Sequence, residues 1–269
     1  MRKGLSVATH LQVTHKEQLT PTMLRVWFRS DDLSAFADST ATDRYVKLVF
    51  PKPDVEYPDP IDMRTLRRTM PGEDLPWVRT YTALFPDLDE GTMAIDFVIH
   101  GDAGVAGPWA TNAQEGDRLM VNGPGGDYRP DPAADWHLFV GDESAVPAIT
   151  ASLEVLPADA VAKIVVLVDS SDHEFDLPRP SKSELVYVHR QGAASSSALL
   201  DAVRALSWPE GRVHAFVHGE AEETMRQLRP YLVNERQIPR EDLSISGYWR
   251  GGDAEEGFRE WKRAQRADG

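Results

Sequence analysis

Through the first half of the chain, short apolar stretches of strand length alternate with turn residues: LQVTH, MLRVWF, RYVKLVF, VRTYTAL, MAIDFVIH and RLMVNGP. Apolar and polar side chains alternate within them and no long helical period intervenes, so the pattern predicts an antiparallel β-barrel. Residues Lys52 to Trp77, dense in Pro, Asp and Arg, read as a long surface excursion between two strands. From about residue 134 the pattern changes. HLFVGD precedes SAVPAITASLEVL; KIVVLVDS and ELVYVHR precede SSSALLDAVRAL; RVHAFVHG precedes EAEETMRQLRPYLVNE. Such βα units predict a parallel sheet. Pro130 and Pro132 mark the boundary, giving domains of 1–132 and 133–269. AASSS reads as a helix start, and EEGFREWKRAQRA as a terminal helix whose Phe258 and Trp261 dock on the body.

Composition narrows the chemistry. The chain of 269 residues, 41% hydrophobic and 27% charged, is ordinary for a globular protein, with no apolar run of membrane-spanning length. The N-terminus lacks the apolar core of a secretory signal, so the expectation is a cytoplasmic protein without stable membrane association. Cysteine is absent, which excludes disulfides, thiolate catalysis and iron–sulfur clusters. Any redox chemistry therefore needs an organic cofactor. A net charge of −14 repels nucleic acid, and an anionic ligand would need a local cluster of cations.

Four stretches carry chemistry. In RTYT, residues 79–82, strand alternation sets Arg79 and Tyr81 on one face and Thr80 and Thr82 on the other, unless the strand bends. A flat ligand with a phosphate suits that set, although the same residues also read as an ordinary barrel strand. In DFVIHGDAGVAGPWATNAQEGD a strand ending at His100 runs into a Gly-rich turn, and Pro108 sits at a first-turn position of a helix whose backbone N–H groups favour an anion. NGPGGDY, residues 122–128, reads as a flexible turn. In VGDESAVPAI a strand feeds a helix through Gly141, Asp142, Glu143 and Ser144, the topology of a nucleotide site without the GxGxxG fingerprint; capping of the helix by Asp142 or Ser144 is the alternative. VHGEAEE repeats the arrangement with Glu220, and SGYWRGG places Trp249 and Arg250 between glycines after a strand LSIS.

As an ordered set, RTYT, DFVIHGDAGVAGPWA, GDESAVPAI, VHR, HGE with LRPYL, and GYWRGG resemble the siderophore-interacting protein family, flavin-dependent ferric-siderophore reductases of the ferredoxin-reductase-like superfamily. The resemblance spans nearly the whole chain. It implies an FAD-binding barrel followed by an NAD(P)H-binding α/β domain, with the flavin between them. By position, Arg79, Thr80, Tyr81 and Thr82 resemble the flavin-binding strand, with Tyr81 against the isoalloxazine and Thr82 near its reactive edge. Val98, His100, Gly104, Ala106, Gly107, Trp109 and Ala110 resemble the pyrophosphate and adenine side. Asp142, Glu143 and Ser144 resemble the nicotinamide-side turn, with Arg190, Glu220 and Trp249 as further cofactor-binding candidates. Lys47, Arg129 and Arg250 are implied as cations facing an anionic ferric siderophore. Leu84 stands where the family often has a basic residue, and Gly-Pro-Gly-Gly at 123–126 where it often has GPRG.

The resemblance implies electron transfer from NADH or NADPH through FAD to Fe(III) in a siderophore, with no protein metal site and no proton-transferring residue. The eight histidines show no ligand spacing, and His10, His15, His214 and His218 fall in strand-like segments. Two alternatives remain: a reductase of free flavin or a protein acceptor, and a ferric-siderophore binding protein without turnover. A hydrolase finds no GxSxG elbow. The sequence chooses neither the nicotinamide nor the siderophore class, and a monomer is the default.

Overall fold

The computed structural model describes residues 8–101, 104–190 and 197–251, so the terminal-helix expectation at Phe258 and Trp261 lies outside the described residues. The chain divides into two compact units, one of residues up to 19 and 23–127, the other of residues 20–22 and 128 onward.

Among the described residues, seven antiparallel strands build the first unit: β1 (Thr9–Thr20), β2 (Met23–Arg29), β3 (Tyr45–Phe50), β4 (Trp77–Thr82), β5 (Leu84–Asp87), β6 (Thr92–Val98) and β7 (Arg118–Gly125), in the order β4-β3-β7-β1-β2-β6-β5. The two ends of that order, β4 and β5, are consecutive in sequence. Ala83 joins them, wholly buried, and its N–H donates to the Arg44 carbonyl at 2.8 Å. The stretch VRTYTAL, which reads as one strand, thus bends at Ala83 and closes the sheet into a barrel. Inward positions of alternating strands fill it, among them Leu11, Val13, Val26, Phe28, Val46, Leu48, Ile95 and Phe97. Helix α2 (Ala106–Asn112) inserts Trp109 against Phe28, Phe50 and Phe97, with ring centroids 5.9–6.3 Å apart. Lys16 caps its C-terminal end by donating to the Thr111 carbonyl at 2.8 Å, where a cation meets the negative end of the helix dipole. The excursion between β3 and β4 contains a short helix, α1 (Met63–Thr69), started by Asp62, whose carboxylate accepts the Arg64 N–H.

The described residues of the second unit hold five parallel strands, β8 (Trp136–Asp142), β9 (Val161–Val168), β10 (Lys182–His189), β11 (Val213–Glu220) and β12 (Leu243–Trp249), in the order β10-β9-β8-β11-β12. Every residue of β8 is buried, as expected of a central strand covered on both faces. On one face α4 (Ala198–Ala205) and a π-helical stretch, Glu222–Leu228 and Tyr231–Glu235, bury Leu199, Val203, Leu228 and Leu232. The wide turns are direct: the Arg229 and Arg236 N–H groups reach back five residues, to the Thr224 and Tyr231 carbonyls. α3 (Val146–Glu154) follows β8. The chain leaves β8 for β9 and β10 on one side, then crosses to β11 on the other. The carboxyl ends of β8 and β11 therefore form a topological switch point, where open α/β sheets take their ligands.

Candidate functional site

In the first unit, β4 holds the RTYT residues, with Arg79 and Tyr81 on the side of the buried core. Arg79 and Tyr81 pair with Leu48 and Val46, both wholly buried, whereas Thr80 pairs with the exposed Lys47. The half-buried Tyr81 ring lies 4.8 Å from that of Phe97, and Arg79 donates to the Val78 carbonyl at 3.0 Å. Thr82 is 8% exposed, at the point where β4 turns into Ala83. β6 ends at Val98, two residues before the expected His100, because the chain leaves its pairing with β2 at Met23; His100 is exposed in the loop that follows. Gly104 adopts φ +79°, and nothing lies within 4 Å of where its side chain would be. Ala106 and Ala110 are buried beneath α2, so only their backbone can face a ligand.

The first four residues of NGPGGDY are strand, not a flexible turn: β7 runs through Gly125, opposite Tyr45, and the chain leaves it at Gly126. A Cβ on Gly125 would lie 2.4 Å from the Tyr45 ring, so the ring occupies the space a side chain here would need. Tyr45, 40% exposed and paired with Thr82, went unmarked in the sequence, where RYVKLVF shows only strand alternation.

In the second unit, Asp142 organises the switch point. Its carboxylate, 1% exposed, accepts four donors: the Ser144 N–H at 2.9 Å and hydroxyl at 2.5 Å on Oδ1, and the Glu220 N–H at 2.9 Å and Trp249 Nε1–H at 2.8 Å on Oδ2. Asp142, Ser144, Glu220 and Trp249, marked from three separate stretches, are thus brought together. The capping alternative does not hold, since α3 has no side-chain cap and Asp142 instead ties the ends of β8, β11 and β12. Trp249 also corrects the reading of GYW as a segment beyond the strand: it is the last residue of β12, held there by its indole N–H. Glu220 turns its own carboxylate onto the Glu222 and Glu223 N–H groups, starting the π-helical stretch. Gly219, at φ +155°, passes so close that a Cβ would sit 2.9 Å from Asp142 Oδ2.

Beside this knot, Arg190 Nη1 donates to Glu143 at 2.7 and 2.9 Å and to Asp169 Oδ1 at 2.9 Å. Burial pushes the Glu143 carboxyl up, against the pull of Arg190. Glu223 is raised to about 7, first by burial and then by Asp142, with Arg190 opposing and Glu220 and Glu143 adding to the rise. Neither Glu223 nor Asp169 was marked from sequence; Asp169 had a visible signal, directly following the strand KIVVLV. Arg129 is exposed and Arg250 half-buried in the second unit, while Lys47 belongs to the first.

Comparison with known proteins points one way. A family model described as siderophore-interacting FAD-binding domain matches residues 12–128, and one described as siderophore-interacting protein matches residues 134–252. An uncharacterised protein of Mycobacterium tuberculosis is 43% identical over 265 residues, covering 94% of this chain and 93% of its own. The ferric vibriobactin reductase of Vibrio cholerae is 32% identical over 255 residues, covering 93% and 92%. Among solved structures, a siderophore-interacting protein from Aeromonas hydrophila superposes with a TM-score of 0.80 at 26% identity, covering 99% of this chain and 100% of its own. A closed antiparallel sheet followed by a parallel α/β unit is the ferredoxin-reductase-like fold.

Proposed function

Because the chain belongs to the siderophore-interacting protein family, with relatives named as ferric reductases, we propose that it carries electrons from NADH or NADPH to Fe(III) held in a siderophore, using FAD. The observation that carries this reading is the closing strand β4, which holds a guanidinium, a half-buried aromatic ring and a hydroxyl within four residues of the first unit, in a chain without the thiols that other redox centres use. Those residues fit a flavin nucleotide. Tyr81 offers a face to a flat ring, Arg79 a charge to a pyrophosphate, Thr82 a hydroxyl at a ring edge, and the open Gly104 turn lets backbone approach a phosphate. When bound, FAD supplies the conversion of one two-electron hydride into two one-electron transfers, which two Fe(III) ions require.

The chain's own residues do the rest. Asp142 fixes the β8 turn and the Trp249 indole and so holds the ends of three strands at the switch point. Val98, His100, Ala106, Gly107, Trp109 and Ala110 shape the adenine side of the flavin, and Glu143, Ser144, Arg190 and Glu220 the nicotinamide-nucleotide side. Lys47, Arg129 and Arg250 supply positive charge to an anionic ferric siderophore in a chain of net charge −14. The hard oxygen donors of a siderophore hold Fe(III) more tightly than Fe(II), so reduction releases the metal.

The test is the visible spectrum of the purified protein with FAD, followed anaerobically as a reduced nicotinamide and then a ferric siderophore are added. Yellow bands that bleach with nucleotide and return with the siderophore support the proposal. A protein that stays colourless after incubation with FAD would sink it, and bleaching without return would point to another acceptor.

A further inference from the structure

The ends of β9 and β10 carry a charge pattern that bears on the nicotinamide donor. β10 ends at His189 and Arg190 directly follows it, and each of these two basic side chains is met by an acid from the segment after β9: His189 Nε2 lies 2.8 Å from Glu174, and Arg190 donates to Asp169 at 2.9 Å. Arg190 is engaged twice over, since Glu143 takes its Nη1 in two further bonds. That segment reads Asp-Ser-Ser-Asp-His-Glu-Phe-Asp from 169 to 176, four carboxylates in eight residues.

In sheets of this topology the end of the second strand decides which dinucleotide binds. A carboxylate there accepts from the adenosine-ribose 2′-hydroxyl, whereas an uncommitted arginine accommodates a 2′-phosphate. Here β9 is that second strand, and Asp169 is the residue directly beyond it, half-exposed. The guanidinium that would attract a 2′-phosphate is neutralised by Glu143 and Asp169.

We propose that Asp169, by offering a carboxylate to the ribose and holding Arg190 in an ion pair, makes this chain select NADH over NADPH. The inference rests on the reading that the second unit takes a pyridine nucleotide. A dianionic 2′-phosphate would have to break the Arg190–Asp169 bond or lie against the carboxylates of Asp169 and Asp172. The 2′-hydroxyl of NADH gains a charge-assisted hydrogen bond instead.

Two readouts test it. Titration calorimetry on the purified protein compares ADP with its 2′-phosphorylated analogue, independently of flavin. Stopped-flow bleaching of bound FAD compares NADH with NADPH. Loss of one hydrogen bond to a charged group corresponds to about tenfold, so ADP should bind at least about tenfold more tightly than its analogue, with the same ratio in the apparent second-order rate constant of bleaching by NADH over NADPH. Asp169→Asn should narrow both ratios towards one, chiefly by strengthening the 2′-phosphorylated ligand. Equal or tighter binding of the 2′-phosphorylated analogue by the unaltered protein overturns the inference while leaving the reductase reading intact. If neither adenosine ligand binds and neither nucleotide bleaches the flavin, the underlying reading falls as well.

Discussion

Replacing Asp142 by Asn changes one atom of a nearly isosteric side chain, and the switch point amplifies it. The carboxylate serves two donors on each oxygen, Ser144 N–H and hydroxyl on one, Glu220 N–H and Trp249 Nε1–H on the other. An amide has one acceptor oxygen. Whichever way it is turned, one pair of donors meets an NH2 group. At 1% exposure the site admits little water to take over. Each buried group left unsatisfied costs about 1–3 kcal/mol, and the partial exposure of Trp249 allows some recovery, so a net loss of about 3 kcal/mol is expected. For a chain of this size that corresponds to about 6–12 °C in the melting temperature. Thermal unfolding followed by far-ultraviolet circular dichroism measures it. Ser144→Ala, which removes one donor and leaves the acceptor intact, serves as control and should lose less than half as much. An Asp142→Asn protein melting within about 2 °C of the parent would refute the idea that this carboxylate ties the three strand ends.

Arg25 and Asp96 face each other across β2 and β6 in a two-pronged ion pair at 2.7 and 2.8 Å, with the Asp96 side chain 2% exposed. Arg25→Met alone should cost about 3–5 kcal/mol in urea unfolding by stranding a buried acid, and Arg25→Met with Asp96→Leu should recover most of it. His137, 3% exposed with no partner for Nδ1, is lowered from 6.5 to about 4, first by burial and then by the neighbouring His214. The unfolded chain therefore binds the extra proton between those values, so stability is present above pH 6.5 and lost as pH falls towards 4; His137→Phe should flatten the dependence of the urea midpoint in that window. Glu223, raised to about 7, works in the opposite sense, since the folded chain holds its proton while the unfolded chain does not. Stability thus falls as pH rises from 4.5 through 7, and Glu223→Gln should melt higher than the parent at pH 8 and alike at pH 4, a difference that scanning calorimetry resolves.

Most strand positions were legible, because the barrel stretches are short, apolar and bounded by turn residues and the parallel strands are short apolar runs; β5, four residues reading LFPD, was not. The breaks were not, because they are tertiary events. VRTYTAL contains no Gly or Pro to announce the bend at Ala83, which follows from barrel closure and the bond to Arg44. NGPG has the composition of a loop, yet it pairs with β3 because Gly125 makes room for Tyr45. At the switch point the sequence marked Asp142, Glu143, Ser144, Glu220 and Trp249 separately, through strand-to-helix junctions and motif order. It could not say that the Asp142 carboxylate joins Ser144, Glu220 and Trp249, since that depends on strand order. Glu223 and Asp169 escaped notice for a related reason: an acid at a helix start or after a strand is commonplace until its neighbours are known.

The place of β7 in the strand order bears on how the protein is made. β7 lies between β3 and β1, pairing Tyr45–Val49 on one side and Thr9–Gln12 on the other, yet it is the last of the seven strands to be translated. Until it leaves the ribosome, β3 and β1 both present unpaired backbone, and at ordinary elongation rates that interval is on the order of ten seconds. Open strand edges invite pairing with other chains, so the nascent first unit is a natural client for chaperones that shield β edges, and a message truncated before residue 118 should yield aggregate rather than a smaller flavin-binding fragment.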